Sequence, residues 1–177
     1  TLFRSLMPGH AAALQVFASH NSDLGGNEHD FRREESEQIR PALERLLDAY
    51  CREGKREVAA ASAVTEECER MIASADLLLA SDENPALIKE ISPWLIQFKL
   101  LGEYGREVLC MLAAQCDGKK TELEKAASHA KALQVLMKKI DATYNQNGFQ
   151  PGVKTGSCHL KPAFDRLYQE VVQRTGK

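Results

Sequence analysis

Val64, Cys68, Met71, Ala75 and Leu78 step along the chain by 4, 3, 4 and 3 residues. At 3.6 residues per turn this spacing lines all five along one side of a helix, so that side must be covered by a neighbour. The same rhythm returns in Trp94, Phe98, Leu101, Gly105, Val108 and Leu112, and again in Ala126, Ala130, Leu133, Met137 and Ile140. Three helices with one apolar stripe each satisfy one another only by packing side by side. The pattern therefore predicts an all-α fold, an antiparallel bundle of five or six helices.

Punctuation residues set the expected ends. Asn84 with Pro85, and Ser92 with Pro93, each pair an N-cap side chain with a proline whose missing N–H costs nothing at the first helical position. Two helices are thus expected to meet near Ile91. Thr121 and Glu124 form a capping box for the next helix, while Gly54 and Gly118 are placed to end the helices before them. Pro41 falls inside an otherwise helical segment, which is read as a helix from about Glu35 to Tyr50 with a distortion at the proline. Further helices are expected at His10–Ser19 and Pro162–Arg174. Only Gly152–Leu160 could be extended, and it lacks clean alternation.

Gly105 occupies the apolar stripe of its helix, where it costs about 1 kcal/mol relative to alanine. Close approach of a neighbouring helix is the expected return. The single tryptophan, Trp94, shares that stripe with Phe98 and is read as a core anchor.

With 23 Lys plus Arg against 25 Asp plus Glu, the 177-residue chain has no charge excess to draw it to nucleic acid. Its apolar runs, such as Val58 to Val64, fall well short of the roughly 20 residues that span a bilayer, so membrane insertion is not expected. The length suits a single domain covering 1–177. Thr1 is not an initiator methionine, so the numbering is expected to begin inside a longer product. Cys51, Cys68, Cys110, Cys116 and Cys158 are odd in number and contain no C-x-x-C pair, and they are read as buried or half-buried free thiols.

The segment "SHNSDLGGNEHDFRREES", residues 19 to 36, has metal-ligand residue types but neither the alternate oxygen positions of a calcium loop nor two histidines four apart. It is read as a structured polar connection turning at Gly25 and Gly26, so no metal and no cofactor is expected. No nucleophile elbow or phosphate loop occurs, and the adjacent acids Glu34–Glu35, Glu66–Glu67 and Asp82–Glu83 diverge by about 100° on a helix. No catalytic residue is assigned. A second polar segment, "YNQNGFQPGVKTG", gathers amides that offer no core burial, which points to a contact outside the bundle.

"FASHNSDLG" followed by "RREES", then "ISPWLIQFKLLGEYG", then "NQNGFQPGVKTG" before a last helix, resemble in order the region after the catalytic barrel in family 84 glycoside hydrolases. These are β-N-acetylglucosaminidases, including O-GlcNAcase-like enzymes often labelled hyaluronidases. The resemblance implies an upstream (β/α)8 barrel in which two consecutive aspartates assist the substrate's own N-acetyl group. This chain has no Asp-Asp dipeptide and is too short for a barrel of about 250 residues. It resembles the post-catalytic helical domain by itself, with no catalytic residue to carry over.

For this chain the resemblance implies a non-catalytic accessory domain whose partner is its own barrel, with homodimerisation as a further expectation. The candidate contact residues are His20, Asn21, Asp23, Arg32, Arg33, Asn145, Asn147, Gln150 and Lys154. The alternative is a carbohydrate-binding module for N-acetylglucosamine-containing glycans, with Trp94, Tyr104 or Tyr144 stacking on sugar. Resembling bacterial enzymes are commonly exported, which points to a secreted or periplasmic parent, whereas the odd number of thiols leans the other way.

Overall fold

The computed structural model describes residues 2–20, 42–50, 57–116, 120–146 and 160–175. Among them the chain forms seven α-helices and one 3-10 turn, with no strand. The helices are α1 (Leu2–Leu6), α2 (Ala11–His20), α3 (42–50), α4 (Val58–Leu79), α5 (Pro85–Cys116), α6 (Lys120–Gln146) and α7 (Leu160–Thr175). The 3-10 turn, Pro8–His10, joins α1 to α2. The all-α bundle expected from periodicity is the fold. Its extra helix is the five-residue α1, too short to show a period.

The centre of the bundle is α5, packed most extensively on α4 and α6, with α7 also against it and α2 lying on α4. The stripe residues account for this arrangement. Val64, Cys68, Met71, Ala75 and Leu78 of α4 are all fully buried, as are Leu101, Val108 and Leu112 of α5, with Phe98 only 1% exposed. Among the described side chains of α6 only Ala126, Leu133 and Ile140, spaced seven apart, are buried; Ala130 and Met137 are half-buried beside them. A stripe that narrow makes α6 an outer helix, resting on α5 along one line.

At Gly105 the helices come closest. A β-carbon there would lie 2.8 Å from Cε1 of Phe164 on α7, closer still to Cζ of the same ring, and 2.6 Å from Sγ of Cys68 on α4. One turn earlier, a β-carbon on Gly102 would meet the Cys68 carbonyl oxygen at 3.0 Å and Met71 Cβ at 3.2 Å. The two glycines thus let α5 approach α4 nearly backbone to backbone, and Gly105 admits the tip of the Phe164 ring. Close approach is the expected role of Gly105, and the structure identifies both neighbours.

One boundary differs from expectation. No helix ends near Ile91: α5 runs unbroken from Pro85 to Cys116 with Pro93 inside it. A proline at this position cannot donate to the carbonyl of Lys89, four residues back. The Ser92 hydroxyl donates to that carbonyl instead, at 3.2 Å, so the serine expected to cap a new helix repairs the continuing one. Ile91 and Leu95, both buried, hold the segment on the core on either side of the proline. Asn84 does act as expected, with its Oδ1 accepting from Leu87 N at 3.2 Å. Thr121 lies inside the first turn of α6 instead of ahead of it, a shift of the size by which helix ends vary.

Cys68 is buried and Cys110 half-buried, whereas Cys116, on the last turn of α5, is exposed, contrary to the expectation for these thiols. Cys51, Cys158, Gly25, Gly26, Pro41, Gly54 and Gly118, and the extended stretch expected before Leu160, lie outside the described residues. Leu160 itself opens α7. No helix among the described residues is long and apolar enough to cross a membrane.

Candidate functional site

The described part of the candidate contact surface begins at the end of α2. There His20 is 2% exposed, turned into the bundle and not onto its surface. Its Nε2 lies 2.5 Å from Glu67 Oε1 on α4, and its ring sits 5.3 Å from that of Phe98 on α5. An ionised carboxylate only accepts hydrogen bonds, so Nε2 carries the hydrogen. Arg70 donates to the other oxygen of Glu67 from one turn further along α4. Burial by itself would push the Glu67 carboxyl up, but the His20 and Arg70 contacts outweigh it and hold the group below the usual carboxylate range. Phe17, packed edge-on to Phe98 at 5.4 Å, completes the seat of α2.

His20 is therefore a structural tie between α2, α4 and α5, which corrects its placement among the outward contacts. Sequence reasoning missed it because its partner lies 47 residues away. Of the other candidates, Asn145 belongs to the last turn of α6, while Asn21, Asp23, Arg32, Arg33, Asn147, Gln150 and Lys154 lie outside the described residues.

Two further polar contacts fix the ends of the bundle. Glu83, in the turn between α4 and α5, accepts from Gly9 N at 2.7 Å and from His10 Nδ1 at 2.9 Å, clipping the 3-10 turn onto that end. These hydrogen bonds lower the Glu83 pKa. Toward α7, the Tyr104 hydroxyl donates to Asp165, whose second oxygen accepts from Lys161 at 2.9 Å. Burial and the Asp165 carboxylate both raise the Tyr104 pKa. This tyrosine is fully buried and cannot stack on a sugar, which removes it from the carbohydrate-binding reading. Trp94 is half-buried against the core, and Tyr144 is in the last turns of α6.

These groups do not converge on any reactive point. Glu67, Glu69, Asp76, Glu83, Glu107 and Asp165 are each engaged by a base, and each of these contacts spans different elements except the local ones from Arg70 and Lys161. Among the described residues no group of three His, Cys, Asp or Glu is placed to hold a metal ion. The Cys68 thiol is pushed up to about 12, chiefly by burial, and the Cys110 thiol is also raised. Neither is the thiolate a nucleophile requires. An open groove runs between α4 and α5, lined by Ala61, Ser62 and Thr65 on one side and Arg106, Leu109 and Cys110 on the other. Its one strong base, Arg106, already faces Glu69 at 3.6 Å.

Fold and side chains together define a helical bundle whose ion pairs between elements tie its helices to one another. Residues 35–168, well over half the chain, match the family model described as the bacterial GH84 post-catalytic domain. The chain belongs to this family of post-catalytic helical domains. A solved structure titled "Structure of CpGH84D" is similar in fold, with a TM-score of 0.71 and 21% identity. The match covers 97% of this chain and 28% of that one, so the chain spans little more than a quarter of that protein's length.

Proposed function

We propose that the chain is a non-catalytic accessory domain that packs on and supports the catalytic barrel of a glycoside hydrolase acting on β-linked N-acetylglucosamine. The observation that carries this reading is the match to a post-catalytic domain together with a bundle whose one described buried carboxylate, Glu67, and whose seam acids Glu69, Asp76 and Glu107 are tied to bases on neighbouring helices. Such a domain contributes by holding a neighbour in place, and its polar segments supply the contact.

Within this reading Asn21, Asp23, Arg32, Arg33, Asn145, Asn147, Gln150 and Lys154 face the barrel or another protein, including a second copy of the chain. His20 instead anchors the first of these segments to the bundle. The test is a parent enzyme with and without the helical domain, compared by melting temperature and by kcat on an aryl N-acetylglucosaminide. Support predicts a lower melting temperature for the barrel alone. Unchanged stability and turnover would refute it.

A further inference from the structure

The outward face of α6 carries a charge pattern of its own. The buried line of α6 runs through Ala126, Leu133 and Ile140. At about 100° per residue, Lys120, Lys131 and Lys138 fall within about 20° of one another on the opposite side, and Lys139 flanks them. All four are exposed. The row extends over roughly 28 Å, at 1.5 Å per residue. Within about 60° of its midline lie one acid, Glu124, and one bulky apolar residue, Val135, 54% exposed; exposed Leu123 and Asp141 stand about 70° to one side and Lys139 about 90° to the other.

Elsewhere bases and acids neutralise each other across the helix seams: Lys99 with Asp76 at 2.6 Å, Arg106 with Glu69 at 3.6 Å, His129 with Glu107 at 2.5 Å. No ion pair among the described residues engages Lys120, Lys131, Lys138 or Lys139. A chain of net charge −2 thus carries one helix face where four exposed bases stand outside any ion pair with its described acids.

We propose that this face of α6 docks an acidic polypeptide segment of a partner protein. Charge complementarity selects the sign of the partner. The small and amide side chains between the lysines, Ala127, Ser128 and Gln134, let an extended chain lie along the row, and Val135 gives it one apolar contact. A sugar chain would meet no aromatic ring here on which to stack. A lipid surface needs a broad apolar face to enter the interface, and Val135 and Leu123, set apart on α6, do not provide one. A second copy of this chain is a poor complement along α4, because Glu67, Glu69 and Asp76 are already paired to α2 and α5 and only Glu66 of that helix stands outside an ion pair.

The test uses the whole 177-residue chain and a labelled peptide of about 20 residues, glutamates with leucine at every fourth position, read by fluorescence anisotropy at low salt. Replacing Lys131, Lys138 and Lys139 by glutamine should weaken binding about tenfold, since three exposed charges contribute about half a kcal/mol each. The same change at Arg4, Lys89 and Arg166, exposed bases on other elements, should weaken it less than about twofold. Val135→Ser should weaken it about threefold without altering the salt dependence. Glutamine keeps helix propensity close to that of lysine, so the variants should melt like the parent chain. Absence of binding, or equal losses in the two triple variants, would overturn the site. A silent Val135→Ser, with polygalacturonate or phosphatidylglycerol vesicles binding as tightly as the peptide, would overturn the polypeptide partner.

Discussion

Replacing Gly105 by alanine sets two effects of opposite sign against each other. In a helix interior alanine is favoured over glycine by about 1 kcal/mol, so an open site would be stabilised. Here the new methyl would stand within 2.8 Å of two atoms of the Phe164 ring and 2.6 Å from Cys68 Sγ, where real contacts do not occur. Relief requires the ring to move, yet Phe164 is fully buried and packs edge-on to Tyr104 at 6.0 Å. Nor can α4 retreat freely, because its Cys68 carbonyl is already close to Gly102 on the same seam. Overpacking of a tight core costs about 1–3 kcal/mol and occasionally more, and this site lies at the upper end. The net expectation is a loss of about 1–2 kcal/mol, or about 3–6 °C in melting temperature for a domain of this size. Urea and thermal melts followed by circular dichroism measure it. Phe164→Leu in the Gly105→Ala background should recover part of the loss beyond what the single changes add up to, the sign of direct coupling. A Gly105→Ala chain as stable as the parent, or more so, would refute the three-helix junction.

Three other changes probe the remaining supports. His20→Leu strips one partner from a buried carboxylate that keeps only Arg70, and should cost about 3 kcal/mol by the same melts. Because the Glu67 carboxyl is held below its unfolded value, its contribution is fully present above about pH 4.5 and lost as pH falls through the folded value; melting temperature should drop on acidification, and less steeply in Glu67→Gln. Pro93→Ala restores a donor for the Lys89 carbonyl inside an unbroken helix and should raise stability by about 1–2 kcal/mol, read as a higher urea midpoint. With an alkylating reagent and peptide mass mapping, exposed Cys116 should react well before Cys110, and Cys68, its thiol pushed up to about 12, only on unfolding.

Periodicity carries most of the fold because burial acts through it directly: residues that recur every three or four positions end up on one side, and that side is covered. Gly105 is legible for the same reason, since a glycine on an apolar stripe has no other use there than space. The partner filling that space, Phe164, is not, because nothing local specifies which helix arrives. Pro93 misleads because a serine and a proline in sequence have the same appearance at a helix start and at a repaired interior site. Only the continuous burial of Ile91, Leu95 and Phe98 distinguishes the two. His20 misleads differently: its neighbours in sequence are polar, and the buried acid that draws it inward stands on another helix. Local composition describes the company a residue keeps along the chain, not across the core.

In the proposed accessory role the bundle spends its chemistry on its own cohesion and performs none on a substrate. Incubating the purified chain with an aryl N-acetylglucosaminide, with a melt run on the same sample, tests it directly. The expected result is one cooperative unfolding transition and no phenol release above the blank. Sustained release by the folded chain, abolished on unfolding, would contradict it.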